Sequence, residues 1–187
     1  MDETQAVRLC QEGHESAFQV IVERYGDVMY GTAVLMTHDR ALAEDLVQDA
    51  LMLAWKGFSR FRAGSNLKAW LMRILVNRVI SDRRRKRVDE VEMDASYNEL
   101  VEPESTIQTV ISAEEAGRIR AALLELPFEP RQAVVLRFYA GMTIPEIAET
   151  LGWREGTVKS RLHRALRQLR DVLETSPKPA TLITEER

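Results

Sequence analysis

Residues 143–165 read TIPEIAETLGWREGTVKSRLHRA, and this stretch decides the fold of the C-terminal part of the chain. Thr143 and Glu146 have the spacing of a capping box, which predicts that a short helix begins here. Gly152 can supply a left-handed turn, and a second helix is predicted from about Glu155. Two helices joined in this way are typical of a helix-turn-helix, whose second helix enters the DNA major groove. A helical hairpin with a solvated basic face is the alternative that these residues leave open.

The second helix of this pair has a basic outer face. Residues 153–170 hold six basic side chains against Glu155 alone. Such side chains hold phosphates or read guanine edges when the helix lies in the major groove. The outer face comprises Lys159, Ser160, His163, Arg164 and Arg167.

Charge is segregated along the rest of the chain, although the net charge of its 187 residues is only -3. Residues 1–55 hold three basic and ten acidic side chains, and residues 56–88 hold eleven basic and one acidic. Residues 89–115 hold nine acidic side chains and no Lys or Arg. The pattern suggests polyanion contacts at two separate places, but a charge run alone is more often a solvated face.

Apolar residues recur with helical spacing in nearly every segment, so the predicted fold is all-α. One helix is predicted from Ser16, with Ser16 and Gln19 as a possible capping box, and another from Asp39. A third would bury one side from Leu67 to Leu75 and continue through the basic run 83–87. Beyond these, Pro130 suits the first turn of a helix that ends at Gly141 and has Val134, Val135 and Phe138 on its apolar side.

These patterns predict two small helical domains joined by an acidic flexible linker. Residues 88–112 have no sustained apolar period and are rich in Asp, Glu and Ser. The predicted boundaries are 1–88 for the first domain, 89–112 for the linker, 113–174 for the helix-turn-helix domain and 175–187 for a mobile tail.

Several functional classes have no support in the sequence. The single cysteine, Cys10, excludes an internal disulfide framework and fits a reducing compartment, so a cytoplasmic location is expected. No apolar run approaches the roughly 18 residues that span a bilayer. We find no phosphate loop, no paired nucleophile and base, and no metal-ligand cluster, so neither catalysis nor a metal or other cofactor is predicted.

The chain resembles bacterial RNA polymerase sigma factors of the extracytoplasmic-function (ECF) group. Region 4 of that family is similar to the segments 126–132, 136–137, 146–148, 151–152 and 156–165, with Gly141. Region 2 is similar to the segments 43–50 and 70–74, with Trp55, Phe61 and Asn77. Both regions occur in the order that the family has. The resemblance implies a subunit that binds core RNA polymerase and promoter DNA, has no catalysis of its own, and is controlled by an anti-sigma factor.

The resemblance also implies roles for individual residues. The first domain would bind the minus 10 element through Ser65, Asn66, Arg73, Asn77, Arg83 and Arg84. It would bind the polymerase clamp helices through Asp45, Leu46, Gln48, Asp49 and Leu53. The second domain would bind the minus 35 element through Arg137, Arg154, Lys159, Ser160, His163 and Arg164, and its other surface would meet the polymerase flap.

The chain departs from many relatives at one position, and three alternative interpretations stay open. Arg154 stands where many relatives have a Ser or Pro, so the recognition helix lacks that cap, and a phosphate contact by Arg154 could replace it. The basic run 83–87 could hold phosphates or simply end a solvated helix. For the whole chain, the alternatives are a sigma-like module that only sequesters a regulatory partner and a dimeric helix-turn-helix repressor.

Overall fold

The computed structural model describes residues 1–89 and 113–175, and these residues form helices and no strand. The all-α prediction is therefore confirmed. The eight helices of the described residues are α1 (Glu3–Gln11), α2 (Glu15–Thr37), α3 (Arg40–Gly57), α4 (Leu67–Asp89), α5 (Ala113–Glu125), α6 (Phe128–Val134), α7 (Ile144–Leu151) and α8 (Glu155–Thr175). A short 3-10 turn, Phe58–Arg60, follows α3. The predicted linker falls mostly, and the predicted tail almost wholly, outside the described residues.

Helix α4 packs against helices of both halves of the chain. It contacts α2 and α3 on the N-terminal side and α7 on the C-terminal side. The residues predicted to be on its apolar side are buried or half-buried, and Leu67, Leu71 and Leu75 are at most 1% exposed. Apolar side chains from both halves of the chain form one continuous core.

The first helix, α1, was not predicted from the sequence. Asp2 caps it by accepting a hydrogen bond from the Gln5 amide at 2.8 Å, and Ala6, Val7 and Cys10 are buried. The predicted capping box of Ser16 and Gln19 is wrong, because α2 begins one residue earlier, at Glu15 after His14. The Gln19 side chain instead donates to Glu23 one turn further on. The predicted cap at Asp39 is confirmed, since its carboxylate accepts from the Leu42 amide at 3.0 Å.

A π-helical turn changes which side chain faces the core at the end of α6. In the segment Val135–Tyr139 the Ala140 amide donates to the Val135 carbonyl, five residues back. The wider turn rotates the following residues relative to a regular helix. Phe138 was predicted on the apolar side and is 62% exposed, whereas Tyr139 is half-buried.

Tyr139 reaches α2 at Gly31. A Cβ atom at position 31 would overlap the Tyr139 ring, so the glycine is what allows the two halves of the chain to approach here. Helix α2 thus contacts both α6 and the π-helical turn that follows it.

His38 and Arg131 form a polar contact between the halves. His38 ends α2 in the left-handed backbone conformation, with φ of 59°. Its Nε2 lies against Nη1 of Arg131, whose Nη2 donates to the Leu126 carbonyl at 2.9 Å. Burial, reinforced by the charge of Arg131, lowers the pKa of His38 from 6.5 to about 4. Neutral His38 is therefore the form that this contact requires.

No helix in the described ranges 1–89 and 113–175 is long and apolar enough to cross a membrane.

We expect the free energy of unfolding to depend on the protonation of His38. Because the pKa of His38 is lower in the folded chain, the unfolded chain binds the proton first as the pH falls. The stabilisation is fully present above pH 6.5 and is lost as the pH falls towards about 4. Urea denaturation at several pH values measures this loss.

The variant His38→Asn is the matched control, because asparagine also tolerates the left-handed conformation and does not titrate. Its unfolding free energy should fall less than that of the wild type across the same pH range. An equal decline in the two proteins would contradict the role of His38.

Candidate nucleic-acid interface

A row of polar side chains follows the exposed side of α4. Asn66 precedes the helix and caps it, with Oδ1 accepting from the Ala69 amide at 3.0 Å. Arg73, Asn77 and Arg84 lie on the same side, because separations of seven and four residues are close to whole helical turns. All four side chains are exposed. We call the row Asn66, Arg73, Asn77 and Arg84 the α4 stripe.

The other two residues predicted for the minus 10 element lie off this row. Ser65 is exposed in the loop before α4, where its amide donates to the Arg62 carbonyl at 3.1 Å. The Arg83 guanidinium lies over the Phe128 ring, 4.2 Å from its centroid, and so contacts the start of α6. The structure therefore places four of the six predicted residues along one side of α4, with Ser65 at one end and Arg83 to one side.

A recess of about 650 Å³ opens between α1 and the loop before α4. Phe61 and Ser65 line it on the loop side, and Gln11 lines it on the α1 side. The Gln11 amide donates to the Phe61 carbonyl at 2.6 Å, which ties α1 to the loop. Phe61 also packs on Trp70 with ring centroids 4.9 Å apart. The recess thus combines a firm aromatic wall with polar groups.

Two carboxylates of α7 contact the α4 stripe. The Asn66 side-chain amide donates to Glu146 Oε1 at 2.6 Å, and Arg73 forms an ion pair with Glu149. Glu146 also completes the predicted capping box with Thr143, which is confirmed. Burial alone would raise the pKa of Glu146, but hydrogen bonds from Thr143 and Asn66, with the charge of Lys68, outweigh it and lower that pKa. Glu146 therefore carries its negative charge at the end of the stripe.

The residues predicted for the minus 35 element lie together on the recognition helix, α8. Lys159, Ser160, His163 and Arg164 are all exposed on its outer face. Val158, Leu162 and Ala165 are buried on the opposite side, and Gly152 makes the left-handed turn with φ of 66°. The predicted helix-turn-helix is therefore present.

Arg137 and Arg154, also predicted for the minus 35 element, lie apart from that face. Arg137 donates to the Met142 carbonyl at 2.9 Å, which fixes the chain just before α7. Arg154 is exposed and directly precedes the first turn of α8, where its carbonyl accepts from the Thr157 amide.

A cluster that the sequence analysis missed fixes the start of α8. The Arg161 guanidinium lies 3.9 Å from the centroid of the Trp153 ring. Its Nη1 lies 2.8 Å from Glu129 Oε2 on α6, an ion pair without the alignment of a hydrogen bond. The sequence shows Trp153 next to Gly152. It does not indicate that Arg161 pairs with Glu129, 32 residues away, because that contact depends on how the helices pack.

Helix α3 presents the face predicted to bind polymerase. Asp45 and Gln48 are exposed, and Leu53 is 47% exposed beside Met52 at 59%. Asp49 is half-buried and forms an ion pair with Arg78 of α4. The prediction that Leu46 binds polymerase is wrong, because Leu46 is only 3% exposed and packs in the core. Its side chain therefore offers no docking surface.

Among the described residues, no group of His, Cys, Asp and Glu side chains has an arrangement that could hold a metal ion.

Two family matches cover the two halves of the chain. Residues 21–88 match Sigma-70 region 2, and residues 116–169 match Sigma-70 region 4. The ECF RNA polymerase sigma factor SigW of Bacillus subtilis is 33% identical over 183 residues, covering 89% of this chain and 96% of that protein. The ECF RNA polymerase sigma factor SigL of Mycobacterium tuberculosis is 34% identical over 157 residues, covering 83% of this chain and 88% of that protein.

Solved structures agree with these matches. The sigma factor RpoE from Bartonella quintana, in complex with the anti-sigma factor NepR, is 30% identical with a TM-score of 0.74, over 86% of this chain and 98% of that chain. CnrH, in complex with the cytosolic domain of CnrY, is 24% identical with a TM-score of 0.69, over 94% of this chain and 99% of that chain, and shows the shared fold. The chain belongs to the ECF group of RNA polymerase sigma factors, a family of transcription initiation factors.

We expect Arg161→Gln to lower the free energy of unfolding by about 1–2 kcal/mol, because it removes a cation-π contact and a partly buried ion pair together. Urea denaturation measures the loss. The matched control is Arg167→Gln, the same replacement at an exposed position of the same helix. Equal unfolding free energies for the two variants would show that the cluster does not stabilise α8.

Proposed function

We propose that this sigma factor directs core RNA polymerase to promoters by binding the minus 10 element with the α4 stripe and the minus 35 element with α8. The observation that carries the proposal is the α4 stripe itself. It combines two arginines with two amides on one exposed helix side, and arginine and amide side chains suit phosphates and base edges. The protein would act in the cytoplasm and leave the chemistry of RNA synthesis to the polymerase.

The recess beside the stripe supports capture of a base taken out of the stack. An extruded base needs an aromatic or apolar wall and polar groups for its edge, and extrusion costs a few kcal/mol. Phe61 supplies the wall, while Ser65 and Gln11 supply hydrogen-bonding groups. Capture of a base here would favour the melted strand over the duplex, because paired DNA presents no free base to the recess.

The exposed face of α3 is the surface we propose for the polymerase. Apolar Met52 and Leu53 lie beside acidic Asp45 on it, and such a mixture of apolar and charged groups suits a specific protein interface. We further propose control by an anti-sigma factor, supported by the whole-chain similarity to a sigma factor solved in complex with one.

In vitro transcription tests the function directly. Purified core polymerase and this protein are incubated with a pool of genomic promoter fragments, and the RNA start sites are sequenced. We expect transcripts that start downstream of a shared pair of sequence elements. No transcripts above those of core polymerase alone would overturn the proposal.

The variant Asp45→Arg should weaken binding to core polymerase about ten-fold or more by charge reversal within the proposed interface. Asp45 is more informative than Asp49, since Asp49 also holds Arg78 within the chain. Fluorescence anisotropy with labelled sigma factor measures the affinity. Glu174→Arg, an equal charge change at an exposed site on α8, is the control. Equal affinities for the two variants would exclude this part of α3 from the polymerase interface.

The variant Arg164→Ala should weaken the binding of holoenzyme to promoters with a minus 35 element by about 1–3 kcal/mol, because it removes one major-groove contact. Binding to core polymerase should not change. Arg170→Ala, an equal charge loss nearer the end of the same helix, is the control. Promoter binding of holoenzyme, titrated on the promoters found above, measures the difference, and identical curves for the two variants would reject the assignment.

A further inference from the structure

The sulfur atoms of the chain differ in their exposure to solvent. The Cys10 thiol is buried, and burial raises its pKa. Because oxidants attack the thiolate, Cys10 is protected both by burial and by its protonation. Within the part of the chain that the structure describes, the exposed thioethers are those of Met1 and Met52. The other methionines of these residues are at most 2% exposed: Met29, Met36, Met72 and Met142.

Met52 lies on the side of α3 to which the proposed function assigns core polymerase. It follows Asp45 by seven residues and Gln48 by four, and these separations are close to whole helical turns. Asp45 and Gln48 are exposed, as are Met52 and its neighbour Leu53. The Met52 sulfur is therefore open to small reagents in the free chain and would be covered when polymerase binds this side.

The fold of α3 does not depend on the Met52 side chain. The buried residues of α3 lie on other sides of the helix: Ala43, Leu46, Val47, Ala50 and Ala54. Met52 is 59% exposed, so water can solvate a polar group placed on its sulfur. A chemical change at this sulfur should therefore alter the surface of α3 without unfolding the helix.

A hydroperoxide can make such a change by converting the Met52 thioether into a sulfoxide. A sulfur lone pair attacks one peroxide oxygen, so the S–O bond forms while the O–O bond breaks. With hydrogen peroxide, the departing hydroxide takes the proton of the transferred oxygen and leaves as water. The sulfur loses two electrons and the peroxide gains them. The product carries a polar oxygen where the side chain was apolar.

The sulfoxide would destabilise the docked surface more than the free one. Water hydrogen-bonds to the new oxygen in the free chain, whereas a polymerase surface that packs on apolar Met52 and Leu53 excludes that water. A buried polar oxygen without a partner costs free energy. Oxidation of Met52 therefore favours the free sigma factor over the holoenzyme.

We propose that Met52 is a redox modification site, at which a hydroperoxide forms methionine sulfoxide and thereby weakens binding of this sigma factor to core polymerase. This inference rests on the polymerase role that the proposed function gives to α3. The modification is reversible, because methionine sulfoxide reductases restore the thioether. It would act on the free sigma factor and spare molecules already bound to polymerase.

The rate of oxidation at each methionine is the first measurement. The full-length protein is treated with hydrogen peroxide, catalase then removes the oxidant, and peptide mass spectrometry measures sulfoxide over time. We expect Met52 to oxidise about ten-fold or more faster than the four buried methionines. Circular dichroism verifies that the treated protein stays helical. Equal rates for Met52 and the buried methionines would overturn the inference.

Affinity for core polymerase, before and after peroxide treatment, is the second measurement. By fluorescence anisotropy, we expect oxidised wild type to bind about five-fold or more weakly, and reductases for both sulfoxide epimers to restore its affinity. The matched variant is Met52→Leu, which keeps an apolar side chain of similar volume and cannot form a sulfoxide. Its affinity should not change on treatment, whatever its starting value. Because Met1 and Met93 remain in this variant, it also reveals any loss that they cause.

Protection by polymerase is the third measurement. We expect Met52 to oxidise about ten-fold more slowly in preformed holoenzyme than in the free chain, because the interface covers it. Equal oxidation of Met52 in the two states would overturn the inference, as would an equal loss of affinity in wild type and Met52→Leu.

The proposed function is decided by separate experiments. Transcription with untreated protein tests sigma activity, and Asp45→Arg tests the polymerase-binding side of α3 without any oxidant. If Asp45→Arg weakens polymerase binding and oxidation of Met52 does not, the α3 interface stands and the modification site is rejected.

Discussion

The structure depends on one helix, α4. Its single helical period places apolar residues in the core and polar residues on an exposed side. Its apolar residues Leu67, Leu71 and Leu75 are buried in the core, and the polar residues from Asn66 to Arg84 recur at nearly whole helical turns on another side. A change of helical phase would move both sets together. The fold of the N-terminal half and the placement of the groups proposed to bind DNA are therefore one constraint rather than two.

Much of the fold could be predicted from the sequence because helical periodicity and capping are local properties. Asp39, Thr143 with Glu146, and Gly152 each act within four residues of their own position, and each was predicted correctly. The errors also have physical causes. Helix α1 is short and offers only three buried side chains, and the turn at Val135–Tyr139 departs from the regular period that a pattern assumes, which exposes Phe138.

The candidate site could be predicted only in part, because its members are close in space and distant in sequence. Spacing along α4 and α8 placed the polar residues on common faces, and their exposure agrees with that. Spacing could not indicate that Asn66 meets Glu146, or that Arg161 meets Glu129 and Trp153, since those pairs depend on how helices pack. Leu46 shows the opposite limit: family resemblance suggested a surface role, and packing buries it.

The π-helical turn has a consequence for how sequences of this kind can change. It contains one residue more than a regular turn and lies shortly before α7. Because a π-helical turn is an α-helical turn with one residue inserted, loss of any single residue between 135 and 139 would restore an ordinary α-helix and leave the later residues in nearly the same orientation. A one-residue insertion or deletion here is thus absorbed within the helix, so alignment gaps in this segment are changes of local helix geometry rather than of loop length.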